Sequence, residues 1–354
     1  MYARASWLFL VALVGAGQSP TPLEAADGLT LVASGGRRAI DARVGDGIEV
    51  ELRWNGRELP SGARTRWLEL VPRPEHVDLE APSPPYRTYT NAQLGGPHHG
   101  RWIGQDVIEG DVVPLAIGTS DETRWRWTPN ARELGTRWLA AEITLPDGRV
   151  VKSATDIGRG GVTTRALRVS VRADDSFLGW LGSYFRVPYV FGSTPAQSES
   201  YRGIDCADVM VAAQRRVSGR ALAYTSVQGL ERHAVAVSEP FVLERDGTLR
   251  DGGTDGTRVP IVLRFGVDVR PGDLLAIDYA DDPEGQLPRP WDHVGAVLED
   301  RGPEVPGRRG QPPTGRADGI LGADDLVRHM GLRGLVDEPL ARHGHVRLRI
   351  WRWR

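Results

Sequence analysis

Apolar residues recur at every second position through the first half of the chain and at helical spacing only after Asp174. That change of period restricts the fold more than any other feature. "DGIEVELRWNG" alternates Ile48, Val50, Leu52 and Trp54 with charged neighbours and then turns at Asn55-Gly56. "TRWLELVPRP" repeats the pattern with Trp67, Leu68 and Leu70, and Leu167, Val169 and Val171 repeat it again. "TRWLAAEITLPDGRVVKS" reads as a hairpin turning at Asp147-Gly148. Several short strands with no helical stretch predict an immunoglobulin-like β-sandwich over residues 27–173. His98 and His99 in "GGPHHG" have no further ligand at metal spacing and read as a loop.

Residues 174–354 have a different character. Phe177, Leu178, Leu181 and Phe185 recur at helical spacing before Pro188 ends the pattern. Val209, Met210, Ala213 and Val217 predict one apolar helix face, with Gly219 as its stop. "RPGDLLAIDYA", "WDHVGAVLED" and the terminal "HVRLRIWRWR" read as strands, the last as an edge strand protected by its arginines. Helix first and strands afterwards is an α+β pattern. The Gly-, Pro- and Arg-rich residues 299–322 read as a loop between two of the strands.

Composition narrows the function classes. The net charge of −2 offers no global field for nucleic acid. "WLFLVALVGA" follows Arg4 and precedes small and polar residues, then Pro20 and Pro22. It has the length of a signal-peptide core and falls short of the about 20 apolar residues of a membrane span. Residues 1–26 are therefore expected to be a signal peptide and short linker. The mature chain is expected to be exported to the periplasm or the extracellular space, with no transmembrane segment. Its one cysteine, Cys206, cannot form an internal disulfide, so it is either buried and inert or reactive and used.

Its setting favours use. Asp205 is a plausible N-cap, which places Cys206 in a first helical turn, where orphan amides and the macrodipole stabilise a thiolate. A thiolate nucleophile needs a base, and His293 opens an alternating strand beside Gly295, which leaves room for an approach.

"VPYVFGSTPAQSESYRGIDCADVMVAA", "RPGDLLAI" and "DHVGAVLED" together resemble the NlpC/P60 family of papain-like cysteine peptidases. In order, they are similar to that family's aromatic-Gly stretch with Asp-Cys at a helix start, its Pro-Gly-Asp turn and its His-Val-Gly strand. The resemblance covers roughly the C-terminal half and leaves out the sandwich. It implies a papain-like fold, with Cys206 as nucleophile and His293 as base. His329 is implied as the orienting residue on the next strand, and the Tyr189 hydroxyl as an oxyanion donor beside the Cys206 amide. Asp318 and Asp325 are lower-ranked substitutes for His329, and Asp292 points to the other face of a regular strand.

The chain departs from the family in having Ala207-Asp208 where Ser-Gly is common. Asp208 could raise the thiol pKa or read a cationic substrate group. The implied activity is hydrolysis of an amide in a peptidoglycan peptide, without metal or organic cofactor. An amidase or acyltransferase acting on another amide or lipid is an alternative. So is a catalytically degenerate module, with the sandwich recruiting an envelope partner. "RADGILGADDL" lacks the early carboxylates of a calcium loop. His343 and His345 flank Gly344 and read as a turn.

Overall fold

In the computed structural model, residues 28–33, 35–72, 110–154, 162–190, 192–251, 258–279, 291–301, 304–305, 314–315, 317–331 and 333–354 are described. The expected signal segment, His98 and His99, and residues 302–303, 306–313 and 316 of the 299–322 stretch lie outside them. The first strands are β1 (Leu29–Ala33), β2 (Ala39–Arg43), β3 (Ile48–Trp54), β4 (Arg64–Pro72) and β5 (Gly110–Pro114). They are followed by β6 (Thr119–Ser120), β7 (Arg124–Trp127), β8 (Gly135–Thr144), β9 (Val150–Lys152) and β10 (Leu167–Arg172). One sheet has the order β1-β3-β7-β6 and the other β2-β10-β8-β4-β5, with β9 attached to β8 through the Asp147-Gly148 turn.

The alternation is what lets these sheets stack. Leu31, Val50, Leu52 and Trp125 from one sheet meet Leu139, Ile143, Val169 and Val171 from the other in a common core. Each such burial contributes about 1.5–3 kcal/mol. Strand β8 is apolar on both faces. Trp138 and Ala140 point away from the sandwich core and join Leu68 and Leu70 in a second core, which also holds Tyr184, Tyr201 and Val209. The β-sandwich is thereby fused to the second half of the chain.

That half begins with α1 (Phe177–Gly182), α2 (Pro195–Glu199) and α3 (Cys206–Ser218). Helix α1 is capped by Ser176, and α2 has a capping box between Thr194 and Gln197. Strands β11 (Ala234–Ala236), β12 (Phe241–Leu243), β13 (Leu249–Asp251), β14 (Leu274–Asp278) and β15 (His293–Glu299) follow. The last are β16 (Glu304–Val305), β17 (Thr314–Gly315), β18 (Leu326–Gly331), β19 (Gly334–Pro339) and β20 (Val346–Trp353). They form one sheet of order β13-β12-β20-β14-β15-β18-β19, with β11 also on β20, and β16 pairs only with β17. Strand outweighs helix, and the architecture is α+β.

Two expectations fail here. Every residue of α3 from Cys206 to Ala213 is buried, so the first half of the helix is enclosed all round, and Val217 is 42% exposed instead of completing an apolar stripe. The terminal strand is interior, paired with β12 on one side and β14 on the other. Its arginines do not guard an edge. Arg352 makes a bidentate pair with Asp273 at 2.7 Å, and Arg349 donates to the Ser238 carbonyl. Val346, Leu348 and Ile350 fill one side of the sheet, while Trp351 fills the other.

Candidate active site

Helix α3 starts where Asp205 caps it. The Asp205 carboxylate accepts the amides of Ala207 at 3.1 Å and Asp208 at 2.8 Å, and also that of Gly192 at 3.1 Å. Cys206 is the first helical residue, and its buried thiol lies beside the backbone amide of Val294, the residue after His293, which acts to lower its pKa. The candidate nucleophile therefore packs against β15 at the residue following the candidate base.

The thiol is less acidic than its position at a helix start suggests. Burial pushes its pKa up, and the charges of Asp205 and Asp208 add to the shift. A helix N-terminus supplies about half a positive charge, which burial of the thiol, with the neighbouring carboxylates, outweighs. Asp208 is itself buried and accepts from Ser193 Oγ at 2.8 Å and Ser198 Oγ at 3.3 Å. Burial, with Asp205 beside it, holds Asp208 well above the usual carboxylate range.

His293 Nε2 lies 2.9 Å from His329 Nδ1, and His329 Nε2 lies 2.7 Å from Glu338 Oε1. The sheet register makes this chain possible. Gly295 stands opposite His329, and a Cβ there would lie 2.5 Å from Val327 Cγ1 and 3.2 Å from His329 Cβ. Burial pushes both imidazoles below their usual range, so each ring carries one proton. A carboxylate can only accept, so Glu338 takes the His329 Nε2–H. His329 Nδ1 is then an acceptor for His293 Nε2–H, and His293 keeps an unprotonated Nδ1.

Among the described residues, the imidazole hydrogen bond of His293 goes to His329 and not to the thiol. Catalytic bonds are often long before substrate binds. Tyr189 bridges Ile204, two residues before Cys206. It lines a cleft of about 220 Å³ with Pro72, Arg186, Arg333 and Gly334, and Cys206 is not among the residues around it. Asp318 and Asp325 accept the amides of Ile320 and Gly322 within local turns, Asp325 also accepts that of Arg301, and Asp292 accepts that of Tyr279 between the ends of β14 and β15.

Three further side chains enter the cluster that the sequence reading did not identify. Glu338 is one. The others are His343, whose ring centroid is 4.7 Å from that of His329, and Tyr279, whose Oη lies 2.9 Å from His343 Nδ1. Burial and nearby His329 push the His343 pKa down to about 3. His343 does lie in a 3-10 turn, but the turn delivers it to the histidines. His345 instead pairs with Glu244 at 3.1 Å. The Gly331–Gly334 spacing was the available signal for Glu338. Once it is read as a hairpin, His329 and Glu338 share a face.

No family model and no curated protein matches the chain. Among solved structures, the fibronectin(III)-like modules of Clostridium thermocellum CbhA are similar over 41% of this chain and 47% of that chain, at 12% identity and a TM-score of 0.18. The match spans about half of that chain's length, and at this score it carries no argument. Among the described residues, no helix is long and apolar enough to cross a membrane.

Proposed function

We propose that the protein is an exported cysteine hydrolase that cleaves an amide bond in peptidoglycan peptides. Its second half is read as a papain-like domain of the NlpC/P60 type behind an immunoglobulin-like sandwich, on the resemblance of the three quoted segments. The observation that carries the reading is the chain His293–His329–Glu338, which leaves a basic ring nitrogen on the residue next to the Val294 amide that touches the thiol.

The thiol proton passes to His293 Nδ1 as Sγ attacks the amide carbonyl. The S–C bond forms, and the oxyanion is received by the first-turn amide of Cys206, with the Tyr189 hydroxyl assigned as second donor. His293 returns the proton to the leaving nitrogen, the C–N bond breaks and a thioester remains. Water, deprotonated by His293, then releases the acid and restores the thiol. Because burial and two carboxylates disfavour a free thiolate, proton transfer belongs to the attack step and does not precede it.

The same raised thiol pKa favours a second reading, a catalytically degenerate envelope-binding module. An amidase or acyltransferase on another substrate would use the same steps.

Iodoacetamide labelling of Cys206 across pH, in wild type and His293→Ala, separates enzyme from module. Labelling at neutral pH that slows in the variant supports the hydrolase, and muropeptide digestion, absent in Cys206→Ala, then identifies the bond. Labelling that is equally slow in both, rising only at or above the free-thiol pKa of about 8.5, sinks it.

A further inference from the structure

His329, Glu338 and His343 each offer one ligand atom, and the three atoms lie within 4.8 Å of one another. The Nδ1 atoms of both histidines are engaged, with His293 and with Tyr279 Oη. That leaves the two Nε2 atoms for the shared space. His343 Nε2 is buried with no hydrogen-bond partner, a state that usually has an explanation. Two neutral imidazoles and a carboxylate, each imidazole held through its other nitrogen, make up a donor set suited to a borderline divalent transition metal with an open position. Tetrahedral zinc would set its ligand atoms about 3.4 Å apart. The 2.7 Å His329–Glu338 contact must open slightly and His343 must close in.

We infer that His329, Glu338 and His343 form a binding site for a zinc-like divalent ion, and that the ion switches off the Cys206 site. The coupling runs through tautomers and rests on the proposed hydrolase reading. With no metal, Glu338 takes the His329 Nε2–H, and His293 Nδ1 is a base. A metal on His329 Nε2 requires the His329 proton on Nδ1, where it becomes a donor to His293 Nε2. The His293 proton must then stand on Nδ1, the nitrogen that the hydrolase reading uses as base. Two protons on two rings remain two protons, but the lone pair that would receive the thiol proton is gone.

The test titrates the full-length protein with cobalt(II) and follows visible absorption. The expected result is one equivalent bound, with d–d bands that persist in Cys206→Ala, are lost in His343→Ala and in Glu338→Gln, and are displaced by zinc. Circular dichroism of each variant verifies folding. Zinc should slow Cys206 labelling in wild type by at least about ten-fold, as expected on losing a general base, and should have no effect in His343→Ala. The site is overturned if cobalt gives no bands, if binding survives in folded His343→Ala, or if a thiolate-to-cobalt charge-transfer band disappears in Cys206→Ala, which would place the ion on the cysteine itself. Binding at the three residues with unchanged labelling overturns the switch. If His293→Ala labels like wild type, the hydrolase reading fails instead, and cobalt binding to Cys206→Ala still decides the metal site.

Discussion

The carboxylates beside Cys206, Asp205 and Asp208, set the working conditions of this site. Asp208 has its folded pKa raised above the unfolded value of about 3.9, so the folded state binds the extra proton. The contribution of Asp208 to stability is then greatest below about pH 4 and is lost as pH rises through the raised folded value. Asp208→Asn keeps the shape and removes the titration. It should raise the melting temperature at about pH 8 and leave it nearly unchanged at about pH 4. A variant as pH-sensitive as wild type would place the titration elsewhere. The same change removes a negative charge that holds the thiol pKa up, so Cys206 labelling should speed up several-fold above neutrality. Glu338 acts one residue further out. Without its acceptor, nothing selects the tautomer of His329, and Glu338→Ala should lower turnover about ten- to a hundred-fold with little change in KM, as expected for a positioning residue behind a general base. An equal loss of binding would assign it to the substrate site.

At the scale of elements, the site depends on a glycine in a central strand. Gly295 has no room for a methyl group, because Val327 and the His329 Cβ occupy the space. Gly295→Ala should therefore push β18 away, cost about 1–3 kcal/mol as overpacking does, and lengthen the His293–His329 contact. Denaturant unfolding and turnover read the two effects separately, and a stable variant with full activity would show that the contact has slack. How much was legible also divides at this scale. Strand runs such as Ile48 to Trp54, the Asp147-Gly148 hairpin and the Asp205 cap follow from local chemistry and could be read in sequence. The place of β20 could not be read, because an Arg-Trp alternation looks the same at an edge or in the middle. Asp273 and Asp278, at the two ends of β14, and Ser238, before β12, receive its arginines and come from two separate segments. His343 and Glu338 were hidden too. Glu338 is brought to His329 by the β18–β19 hairpin, whose Gly331–Gly334 turn was easy to pass over, and His343 arrives from a turn beyond β19 that nothing local marks.

Across the whole molecule, the sandwich and the half that carries Cys206 share a core, and the polar contacts at their junction are buried with it. Thr136 donates to the Ser183 carbonyl at 2.7 Å, and its amide donates to the Phe185 carbonyl at 2.9 Å. Glu69, with its side chain 6% exposed, pairs with Arg137 at 3.0 Å within the sandwich and with Arg186 at 2.7 Å across the junction. Removing one partner of such a buried pair leaves uncompensated charge and costs about 3–5 kcal/mol. Around it, Trp138, Leu68 and Leu70 pack into the core that includes Tyr184 and Tyr201. Cutting the chain at the change of period would expose that apolar face on both pieces. Calorimetry of the full-length protein should therefore give one cooperative transition, and Glu69→Ala should move the whole transition down. Two transitions, with only one displaced by Glu69→Ala, would mean that the halves fold independently. The sandwich would then be a separable module, whereas a single transition makes it the support on which α1 and the loop before Cys206 are built.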